Sequence, residues 1–255
     1  MFSIADRDRV HEWMLRLAAS DARVVAAAVV GSLAVGRGDR WSDLDLTFAV
    51  ADDVPVERVL EDWTRRIVAE LQGVHLFDLP SGSSIYRVFL LPGCLQFDLS
   101  FTAASRFGAN SPRFRLLFGK AVERAHVQPP AAEELFGYGV HHAMRARSCI
   151  ERGRLWQAQS MIDGLRESAL SLACRRRGLP ARYGRGFDDL PAEVRDAFAA
   201  TLVAKIEREE LLRSLASAVA RLLAEAVEVP AMAARVEPEL RALVGAWDEE
   251  REAAA

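Results

Sequence analysis

The chain has 255 residues, of which 51% are hydrophobic and 27% charged, and its formal net charge is −3. That length allows one large domain or two small ones, and the composition fits a globular protein with a full core. The slight negative charge argues against a protein held on nucleic acid by bulk electrostatics, because neutralising phosphates takes a basic surface, and leaves room for a local basic groove.

Residues 4–20 place Val10, Trp13, Met14 and Leu17 at helical spacing, with Asp6 and Asp8 near the start, where acids suit the helix dipole. The same acids, with Glu12 and Asp21, keep this stretch from reading as a signal peptide. Residues 23–30 (R-V-V-A-A-A-V-V) read as a buried strand. Residues 44–50 (L-D-L-T-F-A-V) alternate and read as a second strand. The alternation puts Asp43, Asp45 and Thr47 on one face and Leu44, Leu46 and Phe48 on the other. Residues 55–72 begin with Pro55 and space Val59, Leu60, Trp63, Ile67, Val68 and Leu71 as a helix, with Gly73 as its cap. Residues 74–79 form a further strand candidate. The runs 85–91 and 94–101 flank Pro92-Gly93 and predict a hairpin.

From about residue 131 the composition turns helical. Residues 131–152, 154–177, 191–226 and 235–254 are rich in Ala, Leu, Glu and Arg, some of these segments hold more than one helix, and Pro230 separates the last two helices. Arg175, Arg176 and Arg177 before Gly178 and Pro180 mark a helix end. Pro129-Pro130 marks the boundary between the two halves. The expected fold class is α+β: a domain over 1–125 with a mixed sheet of about five strands, then an all-helical domain over 130–255. Cys94, Cys149 and Cys174 are widely spaced and form no C-x-x-C pair, which predicts reduced thiols rather than a disulfide framework or a zinc knuckle. No run approaches the roughly 18–20 apolar residues of a membrane span. A cytoplasmic protein with no membrane partner is expected.

The chemistry concentrates between Val29 and Leu46. Asp43 and Asp45 lie two apart on a strand, so both carboxylates point to one side and repel unless a cation sits between them. A hard divalent ion such as Mg2+ takes oxygen ligands of this kind together with substrate phosphates. A third carboxylate completes a two-metal clamp. Asp98, in L-Q-F-D-L-S-F and sharing a face with Gln96 and Ser100, is preferred for that place, and Asp78 in L-F-D-L is its rival. Gly31 and Ser32 end a strand. A glycine lets backbone approach a ligand closely, and exposed N–H groups at such a turn bind phosphate oxygens. Trp41 and Ser42 precede Asp43 and shape the loop; a triphosphate calls for Lys or Arg, and Arg37 and Arg40 lie nearby in sequence, which does not fix their direction.

The G-S turn, the following D-L-D-L and the later F-D-L resemble the nucleotidyltransferase superfamily with the DNA polymerase β-like fold. The resemblance covers residues 25–101. It implies that Gly31 and Ser32, with Ser42 beside them, hold the triphosphate, and that Asp43, Asp45 and Asp98 hold two Mg2+ ions. The helical half resembles in layout the C-terminal domain of aminoglycoside and lincosamide nucleotidyltransferases, where an acid often deprotonates the acceptor hydroxyl. On residues 154–177, Ser160, Asp163, Gly164, Glu167 and Ser171 form a polar stripe, and Glu167 is the candidate base, with Asp163 as a substrate contact. The implied activity is Mg2+-dependent transfer of a nucleoside monophosphate, AMP from ATP or another nucleoside triphosphate, to a hydroxyl of a small molecule such as an aminoglycoside- or lincosamide-like antibiotic, releasing pyrophosphate. The rival expectations are a protein- or tRNA-nucleotidylating enzyme of a toxin–antitoxin type and a non-catalytic nucleotide-binding module. The negative charge disfavours a nucleic-acid partner, and the helices over 191–254 offer a surface for a homodimer.

Overall fold

Ser3 starts the first helix by a reciprocal cap: its hydroxyl accepts the Asp6 N–H, and the Asp6 carboxylate accepts the Ser3 N–H. Helix α1 (Ile4–Ser20) then leads into β1 (Val24–Val30), β2 (Leu44–Val50), α2 (Val56–Leu71), β3 (Val74–Ser81), β4 (Ser84–Leu91), β5 (Leu95–Ala103) and β6 (Phe114–Phe118). The structure is a computed structural model and describes residues 1–81, 84–126 and 128–254. The chain divides into two compact units, Met1–Val127 and Gln128–Ala255.

The first unit holds a mixed six-stranded sheet in the order β3-β4-β5-β2-β1-β6. Among the described residues only the β2–β5 pair is parallel, and the other four pairings are antiparallel. Parallel neighbours need a crossover connection, and here α2, β3 and β4 supply it. The alternation along β2 sends Leu44, Leu46 and Phe48 into a core with Met14 and Leu17 of α1 and Val59, Leu60, Trp63 and Ile67 of α2. That face of the sheet is therefore closed by apolar packing, and Asp45 and Thr47 point the other way. The sheet has six strands where about five are expected. Strand β6 is short, pairs only with β1, and has no buried residue to mark it in the sequence.

The cap of α2 also differs from expectation. Gln72, not Gly73, takes the left-handed conformation, with φ of 55°. Gly73 is needed for space: a Cβ there would lie 2.7 Å from Ile67 Cγ2 and 2.9 Å from Leu91 Cδ2.

The second unit is helical, with α3 (Ala132–Glu151), α4 (Leu155–Arg175), α5 (Ala192–Ala199), α6 (Arg208–Glu225) and α7 (Pro230–Ala254). The apolar residues Leu211, Leu215 and Leu222 of α6 are buried with Ile162, Leu165 and Leu172 of α4, so this face of α6 is engaged within the unit. Pro230 is the first residue of α7 rather than a spacer before it, a position where its missing N–H costs nothing. Gly178 ends α4 with φ of +67°, and Arg176 and Arg177 both reach the buried Glu225. Among the described residues no helix is long and apolar enough to cross a membrane.

Candidate metal centre

Strands β2 and β5 run side by side in a register that sets Asp45 opposite Asp98. Asp43 immediately precedes β2 and shares the Asp45 face. One carboxylate oxygen from each of Asp43, Asp45 and Asp98 lies within 4.8 Å of the others, and all three residues are half-buried. Burial pushes the Asp98 carboxyl above its ordinary value. A 3.0 Å hydrogen bond from Gln96 Nε2 pulls it back, and the nearby charge of Asp43 pushes it up again. Three acids crowded on one face of a sheet repel, and an all-carboxylate oxygen donor set suits a hard divalent cation. The residues fit a metal ion, and the triad is consistent with metal-dependent nucleotidyl transfer.

The layout matches the sequence resemblance: three acids on adjacent strands, beside a Gly-Ser turn. No protein-family model matches the chain, and no curated protein does. Among solved structures it is similar to the crystal structure of an aminoglycoside 6-adenyltransferase from Bacillus subtilis, at 12% identity over 91% of this chain and 96% of that one, with a TM-score of 0.40.

Gly31 sits at the end of β1 with φ of +73°, and a Cβ on it would fall 2.3 Å from Asp45 Oδ2. The glycine thus makes room for a carboxylate. Its N–H donates to the Arg113 carbonyl at 3.2 Å and ties β1 to the entry of β6. Ser32 follows and leads into a single 3-10 turn, Leu33–Val35, with its hydroxyl not used as a cap. The Ser32 carbonyl accepts the N–H groups of Val35 and Arg37, which folds the loop back on the turn.

The loop before Asp43 is built from its own side chains. Ser42 Oγ accepts the Asp39 N–H at 2.9 Å and donates to the Asp39 carboxylate at 3.1 Å. Ser42, expected beside the triphosphate, is therefore engaged in closing the loop from which Asp43 emerges. Arg7 of α1, only 5% exposed, donates through one terminal nitrogen to the carbonyls of Asp39 at 2.7 Å and Ser42 at 3.0 Å. Nothing in the motif pointed to Arg7. The available signal was its place on the apolar stripe of α1, three residues before Val10 and seven before Met14.

Asp78 is not part of the cluster. It lies on edge strand β3, held by Arg87 at 2.7 and 2.6 Å and by His75 at 2.9 Å, with β4 between it and β5. Glu167 lies exposed on α4 of the second unit. Its neighbours on the stripe are partly committed: Asp163 accepts from Gln159 and pairs with Arg166, and Ser171 is buried. Gly164 lies against the His142 imidazole, where a Cβ would come within 2.8 Å. Burial and the neighbouring His141 hold His142 below its ordinary value, while the charge of Glu167 acts in the opposite direction.

Proposed function

We propose that this protein is a Mg2+-dependent nucleotidyltransferase that moves AMP from ATP to a hydroxyl of a small molecule, with pyrophosphate leaving. The observation that supports it is the convergence of the Asp43, Asp45 and Asp98 carboxylates within 4.8 Å beside the Gly31-Ser32 turn. In this reading Asp43 and Asp45 would hold two Mg2+ ions, and Asp98 would help hold the one that activates the acceptor hydroxyl. When bound, the ions neutralise charge on the triphosphate and polarise the phosphorus that is attacked.

The chain's own work is positioning and charge placement, as expected for transfer at phosphorus. Gly31 leaves Asp45 its place, Ser32 offers a hydroxyl to a phosphate oxygen, and the Arg7-held loop fixes the approach of Asp43. The acceptor oxygen bonds to the α-phosphorus as the bond to the pyrophosphate oxygen breaks. The acceptor proton passes to a base, and we assign that role to Glu167, with Asp163 as a substrate contact. An aminoglycoside- or lincosamide-like acceptor follows from the sequence resemblance of the helical half alone.

The test is a pyrophosphate-release assay with ATP and Mg2+ against aminoglycosides, lincosamides, tRNA and protein. Release that needs both Mg2+ and a small-molecule acceptor is expected. Transfer to tRNA or protein instead would move the protein to the macromolecule-modifying class, and ATP binding without release would make it a binding module. Asp43→Ala or Asp45→Ala should lower the rate by at least about 100-fold, the scale of losing a transition-state charge contact, with an unchanged circular dichroism spectrum. Full activity in either variant would end the metal assignment.

A further inference from the structure

Trp41 is 63% exposed on the loop that delivers Asp43. Its indole gives the loop a large flat apolar face with a polar edge, open to solvent. The loop beneath it is fixed. The Trp41 N–H donates to Asp39 Oδ1 at 2.8 Å. The residues on either side of the pair Arg40-Trp41 are clasped together by the Ser42–Asp39 bonds, and Arg7 holds both of their carbonyls from within. The Arg40 guanidinium lies 4.3 Å over the ring centre, a cation–π arrangement that covers one face and adds to the ring's stiffness. A cleft lined by Ser32, Trp41, Ser42, Asp43 and Gln96 places this indole in the same recess as one metal-ligand candidate and the hydroxyl next to the Gly31 turn.

We infer that Trp41 is the stacking platform for the base of the nucleoside triphosphate. The inference rests on the nucleotidyltransferase reading of the same site. With an α-phosphate beside Asp43, the base must lie one ribose away. Trp41 stands two residues from Asp43, a reach of about 7 Å at most along the chain. The loop is already ordered, so stacking incurs little further loss of freedom on binding. Every base has a π face, so a platform of this kind strengthens binding without selecting one base by its edge.

The experiment is isothermal titration in Mg2+ with two probes: a non-transferable ATP analogue bearing a methylene bridge between its α- and β-phosphates, and inorganic tripolyphosphate, which has the phosphates without a base. Trp41→Ala should weaken the ATP analogue roughly 10- to 100-fold, the range found for losing one base–aromatic stack, and leave tripolyphosphate unchanged. Trp41→Phe should restore most of the difference. The platform is overturned if Trp41→Ala binds the analogue like wild type, or if it loses both probes equally, since the residue would then act on the loop or the metals. Wild-type protein that binds neither probe would bring down the nucleotidyltransferase reading and the platform together. Wild type that binds tripolyphosphate as tightly as the analogue would bring down the platform alone.

Discussion

Gly31 carries two demands at one residue: a left-handed backbone and an empty space for Asp45 Oδ2. Gly31→Ala should cost about 1–2 kcal/mol for the backbone conformation alone, and the methyl must also displace the Asp45 carboxylate. The expected outcome is a folded protein of lower melting temperature that is no longer stabilised by Mg2+. Thermal melts with and without the ion would show it, and an undiminished Mg2+ shift would contradict it. The residue was legible in the sequence as a turn glycine, but its partner was not. A Gly-Ser pair implies backbone N–H groups for phosphate, whereas the Gly31 N–H is bonded to Arg113, on a segment that the sequence pattern did not mark as structured. Arg7 was hidden for a different reason. A charged residue on a helix reads as solvated, and only the carbonyls of Asp39 and Ser42, distant in sequence, explain its burial.

At the scale of elements, strong periodicity translated well. The helix over 4–20 and the strand over 44–50 have the bounds their patterns predict, and the turn at Pro92-Gly93 joins antiparallel partners. The helical composition of 191–226 allows more than one helix, but it does not place the break between α5 and α6. There the Arg213 guanidinium takes the carbonyls of Ala200 and Leu202, and Glu210 accepts the Ala204 N–H. Side chains from the next helix thus satisfy backbone groups that a continuous helix would have paired. The α1–loop clasp is the corresponding device in the first unit. Arg7→Met should leave the carbonyls of Asp39 and Ser42 short of a donor and cost about 1–3 kcal/mol. Urea denaturation should show a lower midpoint with the slope unchanged. A midpoint equal to wild type would mean that water replaces the guanidinium without loss.

For the whole molecule, each unit has its own core and its own acid-sensitive ion pair. In the first, hydrogen bonds from Arg23 and Trp63 hold the Asp21 carboxyl down to about 2 from an ordinary 3.8. In the second, Arg213 and the Ala204 N–H hold Glu210 down to about 2 from 4.5. Both folded values are depressed. The stability they contribute is therefore complete above the ordinary carboxylate range and is lost as pH falls through it towards about 2. Asp21 contributes about 2 kcal/mol at neutral pH on this basis. Melting temperatures should drop between pH 4.5 and 2 in wild type and drop less in Asp21→Asn, which starts lower; parallel curves for the two proteins would remove Asp21 from the account.

The pairing of β2 with β5 bears on how the protein comes into being. Asp43 and Asp45 leave the ribosome early, but the strand bearing Asp98 follows only after α2, β3 and β4 have been made. The parallel contact then has to close over that whole stretch, the kind of long-range pairing that forms late in folding. A chain that ends before Asp98 holds two of the three acids and no assembled centre. On the proposed chemistry, the capacity to cleave ATP thus arrives with the finished sheet, and such a chain is inert.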